Sequence, residues 1–102
     1  MTDSQRRATE RVPFLEDVKF VNPRSFVGKG IDIGAGGIGV LADEPMEIGT
    51  PVEIEIFEGH ATAYGKIRWC GKEDGGYRLG VQFREEDWVI MEIIETLRGQ
   101  EG

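Results

Sequence analysis

Arg7 and Arg11 stand four residues apart near the N-terminus, and Asp32 follows roughly twenty residues later beside Gly34, Gly36 and Gly37. A guanidinium is a rigid, planar fork that can take two oxygens of a phosphate, or the O6 and N7 acceptors of guanine, at once; lysine cannot reproduce this. Its plane also stacks on bases. An ionised aspartate only accepts hydrogen bonds, so Asp32 suits the N1 and N2 donors on guanine's other edge. The glycines supply positive φ angles or a surface free of Cβ atoms, where backbone amides can approach a ring or a phosphate. Taken singly, each feature has a plainer explanation, as a solvated basic tail or an ordinary glycine-rich turn. Together they describe a grip for a small anion that carries both purine and phosphate.

Other chemistry finds little support. Gly34-Ala35-Gly36-Gly37-Ile38-Gly39 matches G-x-G-x-x-G, with Glu53 and Glu55 about twenty residues onward as in a dinucleotide fold. That fingerprint needs a helix to begin inside it, whereas Val40-Leu41-Ala42 runs directly into Glu44-Pro45. His60 is the only histidine, lies in a Glu58-Gly59 turn, and has no metal-ligand spacing around it. Cys70 is alone inside an apolar strand, which fits packing and rules out an intramolecular disulfide. The carboxylates spread along polar strand faces with no paired acid and base, so no enzymatic activity, metal or cofactor is expected.

The elements that must position these residues read as strands. Val18 and Phe20, Ile31 and Ile33, and Ile38 and Val40 alternate in short runs bounded by Pro or Gly. Val52, Ile54 and Ile56 alternate with Glu53 and Glu55; Ala61, Ala63, Gly65, Ile67 and Trp69 form the next alternating set, and Leu79, Val81 and Phe83 the last. Turn signals at Asn22-Pro23, Glu44-Pro45, Ile48-Gly49, Glu58-Gly59 and Asp74-Gly75-Gly76 space five or six strands of an antiparallel sheet or barrel. The period changes once: Ile90, Ile93, Ile94 and Leu97, with Trp88 and Met91 beside them, predict a helix over 86–98. Glu85, Glu86 and Asp87 suit its N-terminal dipole, and Arg98 followed by Gly99 its end.

Residues 1–12 lack apolar periodicity and predict a flexible, arginine-bearing N-terminal arm; the barrel and helix follow over 13–99, and 100–102 form a short polar tail. At 102 residues the chain suits one core. The absence of a long apolar run or signal-peptide core predicts a cytoplasmic protein with no membrane insertion. A formal charge of -7 argues against DNA or RNA as partners, because nucleic-acid surfaces need many cations, and single-strand grooves need exposed stacking aromatics besides. Against that acidic background Arg6, Arg7 and Arg11 form a local cationic arm suited to a small anion.

In their order and spacing these residues resemble the PilZ domain, whose signature is R-x-x-x-R followed some twenty residues later by [D/N]-x-S-x-x-G. Here the two segments are Arg7 to Arg11 and Asp32-Ile33-Gly34-Ala35-Gly36-Gly37, and the likeness continues through Gly37-Ile38-Gly39-Val40 and Tyr77-Arg78-Leu79-Gly80-Val81-Gln82-Phe83 to the helix. The resemblance implies an all-β fold, a six-stranded antiparallel barrel with one C-terminal α-helix, and a cytoplasmic bacterial receptor for cyclic di-GMP. It implies that the messenger draws the arm onto the barrel and that an unknown protein partner reads the change. Arg7 and Arg11 would contact guanine and phosphate, while Asp32 and the backbone from Gly34 to Gly37 would hold a guanine edge. Arg6 fills the place where an arginine accompanies two intercalated ligand molecules in this family. Trp69 resembles an aromatic that some members set beside the ligand, and it also fits the core. Gly34 departs from the pattern's serine; the missing hydroxyl removes a hydrogen bond worth roughly 0.5–1.5 kcal/mol, up to about tenfold in affinity. That departure also motivates the alternative of a ligand-independent adaptor of the same fold.

Overall fold

The computed structural model describes residues 11–84, 91, 92 and 94–96. Seven strands follow in chain order: β1 (Arg11–Pro13), β2 (Asp17–Asn22), β3 (Phe26–Gly34), β4 (Gly37–Ala42), β5 (Pro51–Ile56), β6 (Ala61–Glu73) and β7 (Gly76–Phe83). Antiparallel pairing passes through β3, β2, β5, β6, β7 and β4, and β4 returns to β3, which closes a six-stranded barrel. Strand β1 adds no further stave. It shares one edge of the long β3 with β2, placing Arg11 opposite Gly34 while Asp17 lies opposite Lys29. Closure gives each of these six strands a partner on both sides, so none of them is a sheet edge.

Alternation explains the strands and the core together. In β5, Val52, Ile54 and Ile56 point inward at 4 % exposure or less, while Glu53 and Glu55 stay half-buried on the outer side. Val18 and Phe20 from β2, Ile38 and Val40 from β4, and Leu79 and Val81 from β7 complete the interior, each removing an apolar side chain from water for about 1.5–3 kcal/mol. Phe20 stacks on Phe26 with ring centroids 4.4 Å apart. The β6–β7 hairpin turns on Asp74-Gly75, with Gly75 at φ 81°, a conformation that L residues resist.

Three register shifts interrupt the ladders, one in β2 between Phe20 and Asn22 and two that bear on the site. Between Gly30 and Asp32, Ile31 is the extra residue of β3 relative to β4; between Ile67 and Trp69, Arg68 is the extra residue of β6 relative to β7. Continued alternation from Gly28 and Gly30 would aim Asp32 inward, and continued alternation from Ala63 and Ile67 would aim Trp69 inward. Each bulge resets the count, so Ile33 is buried and Asp32 turns out, while Cys70 packs against the core and Trp69 emerges 43 % exposed. Re-aiming a side chain in this way is a common use of a bulge. The single faces read from sequence for Ile31 with Ile33, and for Ile67 with Trp69, therefore do not hold.

Strand β1 begins two residues before the barrel boundary read from sequence, since Arg11 and Val12 are paired and Val12 is buried. Three residues are too few to show a period. A short helix lies near the C-terminus: residues 91, 92 and 94–96 are helical, Ile94 is buried in the core and Met91 packs against it, as the apolar stripe predicts. The rest of the expected helix lies outside the described residues. Among these residues no helix is long and apolar enough to cross a membrane.

Candidate functional site

The outer faces of β3, β4, β7 and β6 lie side by side, and their register sets one row of residues across all four. Asp32 is opposite Gly39, Gly39 opposite Gly80, and Gly80 opposite Trp69. The two glycines form a floor without Cβ atoms, and the flanking side chains lean over it. A Cβ added to Gly39 would lie 2.7 Å from Asp32 Oδ1, and one added to Gly80 would collide with Trp69 Nε1. Glycine inside a strand is unfavourable unless something must come close, and here a carboxylate and an indole do.

Around this row lies a cleft of about 450 Å³, within the size range of small-molecule sites. Its lining includes Arg11 from β1, Arg68 and Trp69 from β6, and Arg78 and Gln82 from β7. Three guanidiniums face one carboxylate, so the cleft is cationic on a chain whose formal charge is -7. Such a local reversal of sign focuses anions toward the cleft.

Arg11 and Asp32 are joined directly. Arg11 Nη2 donates to Asp32 Oδ1 at 2.9 Å and makes a longer contact of 3.4 Å with Gly37 O. The hydrogen bond from Arg11 holds the Asp32 carboxyl below its usual value of 3.8; burial opposes this, while the charges of Arg11 and Arg78 and the Gly39 amide reinforce it. Asp32 is therefore an anion with acceptor capacity to spare at neutral pH. Across the floor, Arg78 Cζ lies 5.9 Å from the centroid of the Trp69 ring, a cation–π distance.

Of the residues singled out from sequence, the structure brings Arg11, Asp32, Gly36, Gly37 and Trp69 together around the cleft. Arg6 and Arg7 lie outside the described residues. Gly34 is buried between Arg11 of β1 and Gly37 of β4 and does not line the cleft. No positive φ is found at Gly34, Gly36 or Gly37, so of the two roles weighed for them the side-chain-poor surface is the one present. Gly39, Arg68, Arg78 and Gly80 were not anticipated as site residues. A glycine in mid-strand was the available signal for Gly39 and Gly80; Arg68 and Arg78 acquire theirs only when barrel closure sets β6 and β7 beside β4 and β3.

A PilZ domain family model matches residues 5–97, which takes in both arginine and glycine segments and all seven strands. The chain belongs to the PilZ domain family. Domains of this family are binding and adaptor modules associated with the messenger cyclic di-GMP. Among solved structures, the PilZ chain is similar to the Bacillus subtilis inhibitor of motility (MotI/DgrA), with a TM-score of 0.75 and 13 % sequence identity. The match covers 89 % of this chain and 49 % of that one, so the PilZ chain spans about half the length of its structural relative. At that identity the likeness concerns the fold. No curated protein matches the sequence.

Proposed function

We propose that this PilZ domain is a receptor for cyclic di-GMP that binds the messenger in the Arg11–Asp32–Trp69 cleft, without catalysis and without a resident cofactor. The observation that carries this reading is the row of Asp32, Gly39, Gly80 and Trp69 in a cleft also lined by Arg11, Arg68 and Arg78. A purine needs a flat, unobstructed seat, an aromatic to stack on and an acceptor for its N1 and N2 donors; its phosphodiesters need guanidiniums. The lining of the cleft offers a side chain suited to each of these requirements. In this reading Asp32 takes a guanine edge, Trp69 stacks, and Arg11 leaves part of its bond with Asp32 to face the ligand together with Arg6 and Arg7. Binding then fixes residues 5–10 over the cleft and changes the surface offered to a partner protein.

The test is calorimetric titration of the whole chain with cyclic di-GMP. Micromolar or tighter binding, severely weakened by Arg7→Ala, Arg11→Ala or Asp32→Asn, supports the receptor. A flat titration at high micromolar ligand, with the chain folded, would leave a module that contacts its partner without the messenger.

A further inference from the structure

The cations of the cleft are unequally committed. Arg11 is tied to Asp32 at 2.9 Å. Arg68 Nη1 reaches Gln82 Oε1 at 3.4 Å. Arg78 approaches Glu73 only to 3.7 Å, beyond hydrogen-bond length, with both side chains more than a third exposed, a kind of pair that contributes little. Its Nε is cut off from solvent and has no hydrogen-bond partner. A donor withdrawn from water without an acceptor is unfavourable, and few such groups survive in folded proteins unless something outside the protein meets them.

The position of Arg78 indicates what that is. It stands on the outer face of β7 two residues from Gly80, with its guanidinium beside the Trp69 ring and its charge felt at Asp32. The guanidinium lies over the Trp69 ring, 5.9 Å from its centroid, so a base seated at this indole brings its sugar and phosphate within reach of Arg78. The cleft has more positive charge than Asp32 balances, since Arg68 meets only the uncharged Gln82 amide and Arg78 approaches Glu73 only to 3.7 Å; of the two, Arg78 is the one with a guanidinium nitrogen withdrawn from water and lacking an acceptor.

We propose that Arg78 binds a phosphodiester of the ligand, as a contact residue outside both motif segments. The inference rests on the cyclic di-GMP reading and assigns to the barrel itself a phosphate contact independent of the N-terminal arm. A phosphodiester accepts a point charge, so lysine should largely replace this arginine, unlike one that reads a base edge bidentately.

The experiment titrates the whole chain, wild type, Arg78→Ala, Arg78→Gln, Arg78→Lys and Arg24→Ala, with cyclic di-GMP at low and physiological salt. Arg24 pairs with Glu44 away from the cleft, so its substitution removes the same charge as a control. Arg78→Ala and Arg78→Gln are expected to bind about tenfold or more weakly and to lose part of the salt dependence, Arg78→Lys to recover most of the affinity, and Arg24→Ala to match wild type. Wild-type binding with Arg78→Gln within about threefold of it overturns the inference and leaves the receptor reading standing. A weakened Arg78→Gln that keeps the full salt dependence, while the Trp69 indole N–H resonance moves in the free protein, also overturns it, because Arg78 would then only position the ring. A flat wild-type titration removes both readings at once.

Discussion

Asp32 and Trp69 face each other across the outside of the barrel, separated by Gly39 and Gly80 and by no other residue in the row. Neither would face outward without an irregularity in its strand. Ile31 and Arg68, the extra residues of β3 and β6, turn an acid and an indole away from the core and toward a shared floor. Two bulges aligned in this way account for why this cleft carries an acid at one end and an indole at the other.

Gly80→Ala tests the floor. Its added methyl would strike the Trp69 indole, with Cδ1 2.7 Å and Cε2 2.8 Å away, but that ring is 43 % exposed and can swing outward. The barrel is expected to stay folded with a loss of about 1 kcal/mol, the penalty of mild overpacking relieved at the surface. Cyclic di-GMP binding should fall steeply, and the Trp69 indole N–H resonance should move in the free protein. Unchanged affinity would show that the seat does not depend on the Trp69 ring lying over Gly80.

Acid titration tests the Arg11–Asp32 bond. Because the folded-state pKa of Asp32 lies below 3.8, its stabilising contribution is complete above that value and is lost as pH falls through the folded pKa. Asp32→Asn removes the ionisation, so wild type should exceed it most in stability near neutrality, and the gap should narrow below the ordinary carboxylate value. Arg11→Ala removes the largest cause of the shift and should shrink the gap further. Urea midpoints across the acid range measure both effects.

The strands, their inward residues and the helical stripe at Met91 and Ile94 were legible because a period of two or of 3.6 is a direct record of burial. The bulges were not, since an extra residue is visible only against its partner strand. Alternation alone therefore puts Trp69 beside Ile67 on one face. Asp32, Arg11, Gly36 and Gly37 were accessible through their residue types and spacing. Gly39 and Gly80 become meaningful only when closure sets β4 between β3 and β7, and β7 against β6. Arg78 is indistinguishable in sequence from any charged residue on a wet strand face.

Binding and stability should separate at Arg11. The side chains of the pair are 42 % and 29 % exposed, and such ion pairs contribute about 0–1 kcal/mol. Arg11→Ala is accordingly expected to lower the melting temperature by no more than about 5 °C while weakening the messenger severely. A melting loss much larger than this would mark Arg11 as a structural clasp of β1 on β3, and its effect on binding would then be indirect.

The final glycine of the D-x-S-x-x-G pattern has a packing reason independent of any ligand. A Cβ on Gly37 would run into Val81 O of the neighbouring strand, with Val81 C 3.1 Å away; both are backbone atoms that cannot rotate aside. Gly36, one residue earlier in the turn, has nothing within 4 Å of the same position. Gly37→Ala must therefore spread β4 from β7 and should cost about 1–3 kcal/mol, whereas Gly36→Ala should stay within about 0.5 kcal/mol of wild type. Denaturant unfolding of the two variants measures the contrast. Because Gly36 lines the cleft and is sterically free, any loss of affinity in Gly36→Ala with stability unchanged would come from a methyl group intruding on the bound ligand. Equal destabilisation by both substitutions would contradict the close approach of β4 to β7 at this glycine.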